Sequence, residues 1–243
     1  NDINKWLTTG LRASVARTKQ TNSVDGSGAI YNALNQLPEV PARNPDGSFG
    51  MQTENMYGTY FSNPLSDLIQ NENYSRSTQV YVNAFADIKL WKGLVFRTEY
   101  AANYNYNTGY RFTPSYDYEF FKQQSSASRS AGNGSNWTLK TYLTYNGTFG
   151  KHNVSVMAGH EAQENNWESL DGSRTNFLFN SVHELNAGDA TTAKANSSRG
   201  SSAIESYFGR LNYNFADRYL LTATLRADGS SSFAKESRWG WFP

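Results

Sequence analysis

A chain of 243 residues with 22 Lys and Arg against 21 Asp and Glu carries a net charge of +1, which gives no electrostatic case for nucleic acid. Its hydrophobic share of 38% contains no run approaching the ~20 apolar residues of a membrane helix, and the absence of cysteine excludes disulfide scaffolds, thiolate zinc sites and cysteine nucleophiles. A membrane β-barrel survives these exclusions, because its strands show apolar residues to lipid only at every second position and a mean hydropathy of −0.68 is compatible with that.

Residues 7–17 alternate first, with Leu7, Thr9, Leu11, Ala13 and Val15 on one face and Thr8, Gly10, Arg12, Ser14 and Ala16 on the other. Residues 18–75 then lose the pattern and are rich in Asn, Gly and Pro, which predicts a loop of roughly 55 residues with room for a small helix near residues 29–37. A second strand is predicted over 76–90, with Val80, Val82, Ala84, Ala86, Ile88 and Leu90 in phase. After the turn Trp91-Lys92-Gly93 a third runs over 94–106, with Leu94, Phe96, Tyr100, Ala102, Tyr104 and Tyr106 on the apolar side. A long loop is expected over 107–135. A fourth strand sets Trp137, Leu139, Thr141, Leu143 and Tyr145 in phase, and a fifth carries Val154, Val156 and Ala158 after the turn at 149–153. A third long loop is expected over 165–203.

The clearest alternation is at 206–233. Tyr207, Gly209, Leu211, Tyr213 and Phe215 share the apolar face of one strand, and Tyr219, Leu221, Ala223, Leu225 and Ala227 that of the next, with Ala216, Asp217 and Arg218 turning between them. A loop near 229–237 leads to an eighth strand starting at Trp239. In mid-strand, Arg12, Asp87, Lys89, Arg97, Glu99, Lys140, Glu161, Arg210 and Arg226 all fall on the polar face, and none on the apolar one. Connections alternate long and short, which puts the short turns at one rim and the long loops at the other, as in outer-membrane barrels. The expected fold is therefore all-β: an antiparallel up-and-down meander of seven to eight long strands, forming an open section of a large transmembrane barrel rather than a closed one. The 15% aromatic content, with 16 Tyr, suits both strands and interfacial girdles.

Three stretches carry a family likeness: Tyr207-Phe208-Gly209-Arg210-Leu211-Asn212-Tyr213, Asp217-Arg218-Tyr219-Leu220-Leu221-Thr222-Ala223, and Arg226-Ala227-Asp228-Gly229-Ser230-Ser231 with Trp239-Gly240-Trp241-Phe242-Pro243. Together they resemble the barrel signature of SusC/RagA-type TonB-dependent transporters, and weaker echoes occur at Phe149-Gly150-Lys151-His152-Asn153 and Asn63-Pro64-Leu65. The resemblance covers most of the chain. It implies about 22 strands in the whole barrel, with residues 1–243 as a partial barrel domain lacking the plug and the remaining strands. It also implies an outer membrane of the Bacteroidetes kind, a SusD-like lipoprotein lid, energy from the TonB–ExbB–ExbD system, and contact with the bilayer and lipopolysaccharide. The implied cargo is glycan oligosaccharides, or peptides for some members. No cofactor and no enzymatic activity are implied. A soluble all-β carbohydrate-binding module is the alternative that alternation alone leaves open.

Arg97, Glu99, Arg210 and Arg226 are the candidate lumen-facing residues, with either a packing role toward the plug or a role in lining a substrate path. Tyr57, Tyr60, Phe61, Tyr110, Phe112, Tyr116, Tyr118 and Trp167 are candidates for ligand or lid contact from the long loops, with packing of loop on loop as the other reading. His152, His160 and His183 lack the close spacing of a zinc helix, and no metal site is expected.

Overall fold

The computed structural model describes residues 3–21, 28–52, 62–118 and 121–243. In chain order the elements are β1 (Leu7–Thr21), α1 (Gly28–Asn35), α2 (Pro64–Gln70), β2 (Glu72–Trp91), β3 (Leu94–Thr113), β4 (Tyr116–Tyr118), β5 (Phe121–Gln123), β6 (Ser126–Phe149), β7 (His152–Thr175), β8 (Lys194–Phe215), β9 (Tyr219–Ser230) and β10 (Trp239–Phe242). All strands but β4 and β5 form one antiparallel sheet in the order β1-β2-β3-β6-β7-β8-β9-β10, and β4 pairs with β5 as a separate hairpin. The sheet is open, with β1 and β10 at its two edges. This is the predicted meander.

Register keeps the apolar sets together. Leu11 faces Ala84, Ala84 faces Tyr100, Tyr100 faces Leu139 and Leu139 faces Ala162, while Leu211 stands between Val156 and Ala223. A slip of one residue in any strand would send its apolar set to the other face, so this agreement across the sheet is what defines an apolar and a polar side. Tyr145, rather than Phe149 at the strand end, stands opposite Leu94, the first residue of β3; this is the kind of stagger that tilted barrel strands require.

The short turns share one rim. Gly93 (φ 83°) and Gly150 (φ 60°) adopt the left-handed conformation that tight hairpins need, and Ala216 and Asp217 adopt it without being glycine. The Asp217 amide donates to the Asn214 side chain at 3.0 Å, whose own amide donates to the Asp217 carboxylate at 2.7 Å, and this closed pair holds the strained turn. Neighbouring turns are stitched together, the Asn146 amide donating to the Gly93 carbonyl and the Ala216 amide to that of Lys151, both at 2.8 Å.

Two expected loops prove to be mostly strand. β3 and β6 pair from Leu94 opposite Tyr145 to Thr113 opposite Ser126, and β7 and β8 pair up to Ser173 opposite Lys194, so most of 107–135 and 165–203 belongs to the sheet. These stretches are rich in Asn, Ser and Gly and have no apolar alternation to announce them. Once the apolar half fixes the register, continuing the ladder satisfies backbone groups that a loop would have to satisfy elsewhere. At about 3.3 Å per residue the 24 residues of β6 or β7 reach roughly 80 Å, whereas a tilted bilayer crossing needs only about 9–11 residues.

The small helix expected near 29–37 is α1. The second helix, α2, falls within the segment read as loop. Asn63 is its N-cap, accepting from the amides of Leu65 and Ser66, with Pro64 in the first turn. The Asn63 side-chain amide also donates to the carbonyls of Ala42 and Gly50, so one buried side chain ties helix, turn and preceding segment together.

Among the described residues no second layer covers the apolar face along the belt. Leu11, Val15 and Leu221 are 75%, 66% and 55% exposed. Buried apolar residues gather instead at the long-connection end, where Tyr110, Phe112 and Ala127 pack beneath Phe177 of the 176–193 connection.

Candidate functional site

The polar face carries a ladder of alternating charges built by register. Asp87 pairs with Arg97 (3.3 Å), and Arg97 approaches Glu99 (3.7 Å). Glu99 stands opposite Lys140 in the ladder, and Lys140 pairs with Glu161 (3.6 Å). Glu161 reaches Arg226 (3.8 Å), which binds Asp228 at 2.7 Å. Five strands, β2, β3, β6, β7 and β9, thus supply one band of ions. Asn83 donates to Glu99 at 2.8 Å, and Arg226 donates to the fully buried Ser206 hydroxyl at 3.0 Å. Partly exposed pairs of this kind each contribute about 0–1 kcal/mol, so the band contributes more to the placing of side chains than to stability. The Phe85 ring covers the Arg97 guanidinium at 4.3 Å, and the buried Arg97 Nε has no acceptor among the described residues.

Arg97, Glu99 and Arg226 fall within this band, whereas Arg210 lies on the same face but outside it, donating to Asn212 at 3.3 Å. Asp87, Lys140 and Glu161 were placed on this face by periodicity alone. Their partnership, and that of Ser206 and Asp228, required the register across the long connections, which no local pattern encodes.

Directly above the ion band the polar face carries uncharged amides and hydroxyls, before the charged Arg111, Asp171 and Lys194 nearer the long-connection rim. Gln79 donates to Asn103 at 3.2 Å, Asn107 to Asn105 at 3.4 Å, and Asn136, Gln163, Asn165 and Ser202 lie in phase with them. Trp167 joins this face from β7. Its indole lies flat against Gly200, where any side chain would collide with the ring, and half of it stays exposed.

The other aromatic candidates are placed differently. Tyr57, Tyr60 and Phe61 lie outside the described residues, as does the side chain of Tyr118. Tyr116 is nearly buried, and Tyr110 and Phe112 are strand residues in the packed core, on the side of the sheet that carries the apolar residues. Phe112 stacks on His183 at 3.9 Å and meets Phe177 edge-on at 5.5 Å. Arg129 lies 4.4 Å over Tyr110 and is held by both Glu184 oxygens at 2.9 and 3.0 Å. The 176–193 connection is fastened to this wall. The Phe177 amide donates to Ser125 at 2.7 Å, and the Asn180 side chain exchanges hydrogen bonds with the Ser115 backbone at 2.9 and 3.1 Å. Tyr110 and Phe112 are thus core residues, and burial pushes the Tyr110 hydroxyl up to about 12.

Extension of β7 and β8 also brings Glu164 and Glu205 onto the apolar side, beyond the mid-strand positions that are free of charge. Trp137 donates to Glu164 at 3.2 Å and Tyr207 to Glu205 at 2.8 Å, so each carboxylate is tied to an aromatic side chain. Such pairing suits the edge of an apolar belt, where amphipathic rings meet polar groups. Among the described residues no cluster of His, Asp and Glu could hold a metal ion.

No family model matches the chain. TonB-dependent receptor P3 of Formosa agariphila is 28% identical over 251 residues, covering 100% of this chain and 25% of that protein. TonB-dependent receptor SusC of Bacteroides thetaiotaomicron is 34% identical over 111 residues, which is 44% of this chain and 10% of SusC. Structures of the RagAB peptide importer contain the same fold: that of its open-open state superposes with a TM-score of 0.80 over 99% of this chain and 27% of that one, at 22% identity. In sequence and fold the chain is similar to a barrel segment of SusC/RagA-type TonB-dependent receptors. It spans about a quarter of the length of the receptor P3. The apolar belt and the polar ion band are opposite faces of this one sheet.

Proposed function

We propose that this segment is wall of an outer-membrane importer for neutral oligosaccharides, working with a SusD-like surface lipoprotein and powered through TonB–ExbB–ExbD. The observation that carries the membrane placement is the uncovered apolar face, with Leu11, Val15 and Leu221 more than half exposed. A soluble sheet would have to bury so large an apolar surface, and a bilayer takes that role here. The polar face then lines the lumen. Residues 1–243 are in this reading one part of a barrel domain.

Substrate class follows from the upper lumen wall. Asn103, Asn105, Asn136, Gln163 and Asn165 offer both donors and acceptors without charge, and Trp167 presents a flat apolar ring beside them, a combination that suits sugar hydroxyls and ring faces. Peptides are the second class, since the RagAB structures are of a peptide importer. The test is calorimetric titration of the full-length receptor with its SusD-like partner, using panels of neutral oligosaccharides and of peptides. We expect an oligosaccharide to bind and Trp167→Ala to weaken it about tenfold, equivalent to ~1.4 kcal/mol. Binding of peptides alone would overturn the glycan assignment and leave the importer standing.

A further inference from the structure

We propose that the outer wall just beyond the apolar belt holds a binding site for the phosphate groups of an outer-leaflet glycolipid, a reading that rests on the membrane placement above. The belt ends on the outer side at Val15, Val80 and Tyr104, which face one another across β1, β2 and β3. Two residues further along β1 is Arg17, and two beyond that Lys19 stands directly opposite Arg76. Like charges in facing positions repel one another. Among the described residues, Arg17, Lys19 and Arg76 have no carboxylate partner within 4.0 Å. The Tyr74 ring lies 5.2 Å from Lys19 Nζ and 5.1 Å from the Arg76 guanidinium carbon, and so holds both cations near one spot.

Next to these cations the wall is hollow. A groove of about 530 Å³, lined by Tyr74, Arg76, Tyr110, Arg129 and Leu185, joins one of about 690 Å³ at Ala131 and Leu170. The floor is apolar. The acids nearby are engaged: Glu184 binds Arg129, Glu72 faces His183 at 3.5 Å, Glu168 accepts from Asn133, and Asp171, which lines the groove, accepts from Asn196 at 3.2 Å. Three unneutralised cations directly above an apolar belt match a ligand with phosphates at the interface and hydrocarbon below it, and the groove, level with the cations and further from the belt, offers room for the sugar part of the headgroup. Its height on the wall, between the belt and the long connections, is that of the outer-leaflet headgroups.

Native mass spectrometry on the full-length receptor, in non-ionic detergent and loaded with diphosphorylated lipid A, tests this. Wild type should retain the glycolipid. The double variant Lys19→Gln with Arg76→Gln should retain it about tenfold less, while Lys235→Gln, far from the groove, should match wild type. All three proteins should reach the outer membrane at equal yield and melt alike. Equal retention by the double variant and wild type would overturn the proposal. So would displacement by an equal concentration of inorganic phosphate, which would make this a free-anion site, or equal retention of dephosphorylated lipid A. Failure of the wild type to fractionate with the outer membrane would instead remove the membrane placement itself.

Discussion

Phe112 is almost fully buried, with His183 on one face and the Phe177 edge against it, and it locks the 176–193 connection onto the outer wall. Truncating a buried phenylalanine removes its transfer free energy and leaves a cavity, together about 3–5 kcal/mol. In Phe112→Ala that loss falls on a connection otherwise held by Ser125, Asn180 and Arg129, so we expect local release rather than global unfolding. Hydrogen exchange of the full-length receptor should show faster exchange at the amides of Asn176 and Phe177, with the belt region of β6 and β7 unchanged. Uniform loss of protection along β6 would show that this core supports the whole sheet.

At the level of the strand, side-chain direction decides what a charge costs. Leu221 on β9 and Val82 on β2 lie on the apolar face, and their neighbours Thr222 and Asn83 point to the polar one. Arginine on a lipid-facing position near the bilayer midplane costs about 2–4 kcal/mol, and much less on the lumen side. Leu221→Arg and Val82→Arg should therefore lower the denaturant midpoint of the refolded full-length barrel, while Thr222→Arg and Asn83→Arg should leave it nearly unchanged. Equal costs on both faces would contradict the register.

For the whole molecule, an open sheet with one uncovered apolar face and edges at β1 and β10 should have no stable detergent-free form of its own. Expressed alone, the 243-residue chain should aggregate. A monodisperse, detergent-free monomer that melts cooperatively, measured by sedimentation and calorimetry, would sink the membrane reading and restore the soluble module.

Alternation by itself determined the belt: the period of two at Leu211 and Tyr213 or at Leu221 and Ala223 is local, and burial on one side makes it legible in a single strand. Turn chemistry was equally local at Gly93 and Asp217, and the Asn63-Pro64 pair held an N-cap signal for α2 that composition alone hid. Outside the belt the sequence was silent, because Asn, Ser and Gly on both faces of β6 and β7 follow no period even though they pair as strand. Tertiary structure alone decided that Glu99, Lys140, Glu161 and Arg226 form one band, that Lys19 confronts Arg76, and that Tyr110 and Phe112 are core. Each of these depends on residues far apart in the chain, brought together by a register that is set elsewhere, in the belt, where a one-residue slip would expose the wrong face to lipid.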